Sequence, residues 1–244
     1  DDKKEYELKI VSSPDGIFKV YEDGSLIGVL DGSNSVLDSG HKVAVHLGSE
    51  ESNLKNFHPP VFGVTFLGTS HGFDAAGRTT GFILWVFGQA ILVDPPYATV
   101  ELLRAYGISK SFVRGAILTH VHSDHDAGLI RMILLGEQLT LYTTKTVMES
   151  YKRKVKAIMG SVDVSQLFKF KSVRVGEVVN IMGGDFTFDY AYHTIPCVRF
   201  KVTLPTLNKS ISYSSDTYYD PVALSKLRED GVINRQREIS LRQF

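Results

Sequence analysis

The sequence predicts an α/β domain of alternating strands and helices, preceded by a small antiparallel β unit. Three observations carry this expectation. Residues 1–59 hold short alternating apolar stretches cut by turn signals. From residue 61 onward, buried strand patterns alternate with helical ones. At one strand-to-helix junction the stretch "LTHVHSDHDAG" (118–128) gathers three of the chain's eight histidines, with two aspartates among them. A packed core has no use for so many ionisable groups, so that junction is the candidate site.

The elements follow in order. "YELKIV", "GIFKVY", "SLIGVL" and "KVAVHLG" are separated by "SPDG", "EDGS" and "DGSNS", and read as hairpins. His58-Pro59-Pro60 is a stiff junction, which divides a β unit at 1–59 from a larger domain at 60–244. His41, His46 and His58 are isolated and read as ordinary strand or surface residues. In the larger domain "VFGVTFLG" (61–68) is a buried strand followed by a Gly-rich loop. "GFILWVFGQAILV" (81–93) is two buried strands joined by a tight turn, too short and too interrupted to span a bilayer. "ATVELLRAYG" (98–107) is a helix ending on glycine, and "GAILTH" (115–120) a strand. The next helix has Ala127, Ile130, Ile133 and Leu134 at helical spacing, with Ser123 and Asp126 at capping-box spacing. "LTLYTT" (139–144) is a strand and 145–159 a helix. Four strands follow, "EVVNIMG", "DFTFDYAY", "VRFKVTL" and "SISYSS", and then a helix at about 221–229.

Composition narrows the function. Basic and acidic residues number 27 each, so no global field recruits nucleic acid or anionic lipid. The opening "DDKKEYELK" is charged with no hydrophobic segment behind it. Cys197 is the single cysteine, which excludes an internal disulfide framework and a cysteine-rich zinc site. Both features point to a cytoplasmic protein with no membrane partner. Cys197 follows His193 by four residues, yet in an apolar run it reads as a small buried hydrophobe before it reads as a nucleophile. Lys152, Arg153, Lys154 and Lys156 form a basic run on a helix, read first as a solvated face and second as a phosphate contact.

The histidine-rich stretch has a direct chemical reading. In an extended loop, residues two apart project to one side, so His120 and His122 can chelate one cation. The turn into the following helix swings Asp124 and His125 toward a second position. Neutral imidazole and carboxylate suit borderline divalent metals.

"THVHSDHDAG" resembles the His-x-His-x-Asp-His signature of the metallo-β-lactamase superfamily, and the resemblance extends over most of the chain from about 61. It implies an αββα sandwich and two divalent metal ions, zinc first, with manganese or iron as alternatives. Asp94, after "AILV", resembles the aspartate that supports the metal loop without ligating. His193, after "DYAY", matches the third histidine of the first metal site. Asp216, in "SISYSSDT", resembles the carboxylate shared by both metals. The implied ligands are therefore His120, His122, Asp124, His125, His193 and Asp216, with Asp124 also catalytic. The family supplies a further histidine downstream, and no histidine follows His193 here. The expectation is an incomplete chain; the alternative is a one-metal or degenerate site.

A metal pair that activates water cleaves phosphodiesters, thioesters and β-lactams alike. "FLGTSHG" (66–72) with Arg78-Thr79-Thr80 resembles the opening of ribonuclease Z and related small phosphodiesterases, including those acting on cyclic phosphates. His71 and Arg78 are the candidate substrate contacts. The expected function is a metal-dependent phosphodiesterase on a small or cyclic phosphodiester, a nucleotide, or an RNA end. A thioester hydrolase resembling glyoxalase II, another acyl hydrolase, and a non-catalytic metal-binding member are the alternatives. The β unit could regulate, support a homodimer, or cover an edge strand.

Overall fold

A computed structural model describes residues 8–13, 17–31, 57–136, 138–160 and 167–243. The chain divides into two compact units, Asp1–Ser52 and Asn53–Phe244. In the smaller, β1 (Leu8–Ser12), β2 (Ile17–Glu22) and β3 (Ser25–Asp31) form an antiparallel meander. Asp23 and Gly24 turn β2 into β3 with φ of +47° and +80°, the left-handed pair that a two-residue hairpin requires. The strand expected at "KVAVHLG", with His41 and His46, lies outside the described residues.

The described residues of the larger unit form two sheets. The first comprises β4 (Phe62–Gly68), β5 (Gly81–Val86), β6 (Gln89–Val93), β7 (Val113–Ile117), β8 (Thr140–Thr143) and β9 (Lys169–Ser172), in that spatial order. Its first three strands pair antiparallel and the rest parallel. The parallel crossovers carry α1 (Thr99–Ala105), α2 (Ser123–Leu134) and α3 (Lys145–Met159). The second sheet is an antiparallel run of β10 (Val178–Ile181), β11 (Gly184–Tyr190), β12 (Val198–Leu204) and β13 (Lys209–Tyr213). Then come α4 (Pro221–Glu229) and α5 (Arg235–Arg242). Phe57 packs within this unit, its ring 5.3 Å from that of Trp85.

Strand periodicity explains the layers. Along β5, Ile83 and Trp85 join a core under the helices, while Phe82, Leu84 and Val86 face a core between the sheets. β6 repeats this with Ala90 and Leu92 on one side and Ile91 and Val93 on the other. Strands apolar on both faces have no solvated side, as a sheet covered twice demands. From the second sheet Phe186, Phe188 and Phe200 fill the middle, with centroids 5.8–6.1 Å apart. The fourth layer is held by polar ties. Arg199, on the outward face of β12, bonds Asp189 at 2.6 Å and the Ser240 carbonyl on α5 at 2.7 Å. Arg237 reaches the same Asp189 at 2.6 Å. The result is an αββα sandwich.

Several local expectations need correction. β7 ends at Ile117, so His120 stands in the loop beyond it rather than on the strand. The core-facing stripe of α2 is His125, Gly128, Leu129 and Met132. Ile130 and Ile133 are half-buried at its flank and Leu134 is exposed. A histidine and a glycine in the buried stripe disguised it. No capping box forms: the N-cap is His122, and Ser123 and Asp126 both bond Lys154 instead. β9 and α5 were not foreseen. No helix among the described residues is long and apolar enough to cross a membrane.

Gly128 is where α2 meets the segment after β6. Its amide donates to the Pro95 carbonyl at 3.1 Å. A Cβ there would lie 2.2 Å from that oxygen and 2.5 Å from the Pro96 oxygen, both backbone atoms with little freedom to yield. Gly128→Ala should therefore push α2 off its seat and destabilise the domain by about 1–3 kcal/mol. Thermal unfolding would read this as a lowered Tm, and an unchanged Tm would refute the close approach.

Candidate metal centre

Four strand ends deliver the candidate residues. Asp94 follows β6, with φ +43° and no exposure. His120 and His122 lie between β7 and α2, and Asp124 and His125 in the first turn of α2. His193 follows β11, and Asp216 follows β13 beyond Ser215, whose φ is +52°.

These residues converge in two groups that share one carboxylate. Ligand atoms of His120, His122, His193 and Asp216 lie within 4.8 Å of one another, as do those of Asp124, His125 and Asp216. In the first group His122 Nδ1 is 3.1 Å from both His120 Nε2 and His193 Nε2. Asp216 Oδ2 is 3.8 Å from His120 Nε2 and 4.0 Å from His193 Nε2. In the second, His125 Nε2 is 3.3 Å from Asp216 Oδ1 and 3.6 Å from Asp124 Oδ2. The two oxygens of Asp216 thus face different groups.

The first group fits a tetrahedral divalent ion. With Zn–N bonds of roughly 2.0–2.1 Å, neighbouring ligand atoms stand about 3.3 Å apart, close to the observed nitrogen spacing. Mutual hydrogen bonding describes the trio less well, because His122 Nδ1 carries either one proton or one in-plane lone pair and cannot serve both neighbouring nitrogens squarely. In the second position the described residues supply three donors, with no further histidine.

The surroundings set the tautomers. Asp94 accepts from the Thr119 amide at 2.9 Å and from its hydroxyl at 2.6 Å. Having given its one proton to Asp94, the Thr119 hydroxyl accepts from Ser215 at 2.8 Å and from His120 Nδ1 at 3.0 Å. That leaves His120 Nε2 bare and facing the group. Asp94 Oδ2 also takes His125 Nδ1 at 3.0 Å, which aims His125 Nε2 at Asp216. Asp94 therefore stands behind the two candidate groups and in neither of them.

Electrostatics divide the histidines. Burial, then the charge of His125, push His120 far below the ordinary imidazole range, and burial lowers His193. Burial also opposes charge on His125, but hydrogen bonds to Asp216 and Asp94 outweigh it and raise the ring to about 10. The His125 bond in turn holds the Asp216 carboxyl well below the usual range. Cys197 is fully buried, donates to Ser215 at 3.3 Å, and is pushed up to about 12 by burial. It is a neutral packing group, as its apolar context implied.

The Gly-rich loop reaches this site. A Cβ at Gly72 would lie 2.5 Å from Asp124 Oδ2 and 3.0 Å from its Cβ, so a larger residue there would have to displace that side chain. His71 is exposed there, its Nδ1 accepting from the Phe73 amide at 3.2 Å. Arg78 is half-buried and braces the loop through its carbonyl, which accepts from the Ser70 amide at 2.8 Å. Of the basic run on α3, Lys154 turns to the metal loop rather than to solvent. Thr119, Ser215 and Tyr213 carry no signal in the sequence, and Lys154 reads there as one of a solvated basic run; the partners that matter here lie 25–119 residues away.

The chain is similar to several known proteins. The chain is 40% identical over 222 residues to cAMP/cGMP-dependent 3′,5′-cAMP/cGMP phosphodiesterase B of Dictyostelium discoideum, covering 89% of this chain and 20% of that protein. It is 42% identical over 185 residues to cGMP-dependent 3′,5′-cGMP phosphodiesterase A of the same organism, covering 75% and 21%. The chain thus spans about a fifth of the length of these two relatives. The metallo-beta-lactamase fold protein YhfI of Bacillus subtilis superposes with a TM-score of 0.54 at 20% identity, covering 67% of this chain and 66% of that one, which shows the fold. The profile of one family, described as "Anti-Pycsar protein Apyc1", matches residues 62–240. On that match the chain, a metallo-β-lactamase-fold protein, belongs to the Anti-Pycsar protein Apyc1 family.

Proposed function

We propose that the domain is a metal-dependent phosphodiesterase acting on a 3′,5′-cyclic nucleotide. The observation that carries this is the division of Asp216, Oδ2 toward His120 and His193 and Oδ1 toward His125. One carboxylate so placed could serve two cations, one in each group. Divalent ions held there supply Lewis-acid polarisation of the phosphoryl oxygens and lower the pKa of water. The names of the two Dictyostelium relatives supply the substrate class.

In this reading His120, His122, His193 and Asp216 hold the first ion, zinc by the nitrogen-rich donor set. Asp124, His125 and Asp216 hold the second. Asp94 keeps protons on the far nitrogens of the ligating rings, directly for His125 and through Thr119 for His120. His71 and Arg78, on the loop that Gly72 brings against Asp124, serve as the phosphate contacts in the same reading. The second reading, an acyl hydrolase, would use the same ligands on a carbonyl carbon.

One assay separates the two. The protein, reconstituted with zinc or manganese, is offered 3′,5′-cyclic AMP and GMP, a chromogenic bis-aryl phosphodiester, and a glutathione thioester. Phosphodiester turnover is expected; turnover of the thioester alone would overturn the proposal. His122→Ala should reduce kcat/KM on the order of a thousandfold, about 4 kcal/mol of transition-state stabilisation, and lower the metal content. Retention of both would mean that the ligands are wrongly assigned.

Metal loading should also depend on pH. With its pKa raised to about 10, His125 carries a proton at neutral pH in the metal-free site. For Asp124, His125 and Asp216 to hold a second ion, His125 would have to give up that proton, so affinity there should rise with pH, by about tenfold per unit well below that pKa. Chelator-competition titrations at pH 6.5, 7.5 and 8.5 would check the slope. A pH-independent affinity at the second position would contradict it.

A further inference from the structure

We infer that Lys154 of α3 is a positioning residue for the metal loop, setting His122 from behind. The inference rests on the ligand assignment proposed above. Among the described residues, the Lys154 ammonium makes three kinds of contact, all on the His120–Asp126 segment. It donates to the Val121 carbonyl at 3.0 Å, to Ser123 Oγ at 3.1 Å and to Asp126 Oδ1 at 2.8 Å, with Asp126 Oδ2 at 2.7 Å. Val121 and Ser123 flank His122 directly. Asp126 is fully buried one helical turn on, its amide bonded to the His122 carbonyl at 3.2 Å. One cation therefore fixes the backbone on both sides of His122 and the first turn that carries Asp124 and His125.

His122 needs this more than its neighbours do. His120 and His125 are each oriented through the far ring nitrogen, by Thr119 and by Asp94. Among the described residues, His122 Nε2 has no such partner. Its donor atom is Nδ1, which is bonded to Cγ, so it follows the backbone more closely than an Nε2 donor would. Yet this atom stands at the centre of the trio, 3.1 Å from both other imidazole nitrogens. Where ring hydrogen bonds do not place a central ligand, its backbone must. A lysine suits the task because an ammonium has three donors and three separate acceptors surround it.

Zinc binding without substrate tests this. Lys154→Met, Lys154→Arg and the double variant Lys154→Met/Asp126→Asn are titrated with zinc against a chromophoric chelator, with thermal unfolding in parallel. Lys154→Met should lose about 10–100-fold in affinity at the tighter site, the cost usual for outer supports of a metal site. Its Tm should fall because Asp126 is left buried without its cation. The double variant removes that charge and should recover much of the Tm but not the zinc affinity, whereas Lys154→Arg should retain most of both. Wild-type affinity in folded Lys154→Met, or recovery of affinity together with Tm in the double variant, would overturn the inference and reduce Lys154 to a structural ion pair. Should Lys154→Met fail to fold, the double variant decides alone. Wild-type protein that binds zinc but cleaves no phosphodiester would defeat the proposed activity and leave this inference standing.

Discussion

The buried carboxylate of Asp94 is the constraint around which the site is arranged. An ionised group with no solvent exposure persists only if its lone pairs are filled. Thr119 fills them twice, His125 once, and the Tyr213 hydroxyl approaches at 3.4 Å. Those partners come from the loop after β7, the first turn of α2, and the end of β13. Satisfying one charge thus draws together three segments and, in doing so, sets which nitrogen of His120 and of His125 is free to ligate. Support and chemistry are the same hydrogen bonds seen from opposite sides.

Thr119 carries that order across the gap between the sheets. Its amide and hydroxyl serve Asp94, while its carbonyl accepts from the Val198 amide of β12 at 3.0 Å. Next to it the Ala191 amide donates to the Cys197 carbonyl at 2.8 Å, closing the loop that bears His193. The Tyr218 amide donates to the Tyr192 carbonyl at 2.7 Å and so ties the Asp216 loop to the His193 loop. Each loop that bears candidate ligands is bonded through its backbone to another, so the spacing of those side chains is inherited from main-chain geometry.

Much of this was legible from the letters alone, and what was not has a physical pattern. His120, His122, Asp124 and His125 sit within six positions, so local spacing exposes them. His193 and Asp216 were legible only through their order relative to that motif. Lys154 and Asp126, 28 residues apart, carry no local signal, and Lys154 sits in a basic run that looks like a solvated face. β9 reads "KFKS" and is exposed at three of its four positions, so it has no buried face to reveal a period of two. α5 reads "RQREISLR" and buries only Glu238 and Leu241. It is seated by Arg199, Asp189 and Arg237 rather than by an apolar stripe, and hydrophobic periodicity cannot see such a helix.

The topology explains why these loops meet at all. β6 and β7 run parallel, so Asp94 and the metal loop leave the first sheet at the same edge. β11 and β13 are each antiparallel to β12 and hence run parallel to one another, so His193 and Asp216 leave the second sheet at a common edge too. Each sheet thus contributes two carboxyl-terminal strand ends. A one-residue slip in any of the four strands would turn its inward side chains outward and shift its loop by about 3.3 Å, more than a metal–ligand bond length. The alternation that buries Phe82, Leu84, Ile91, Val93, Phe186, Phe188, Val198 and Phe200 between the sheets forbids that slip. The apolar core therefore acts on the chemistry directly: by locking strand register, it holds four separate chain segments to the tolerance that a shared carboxylate between two cation positions demands.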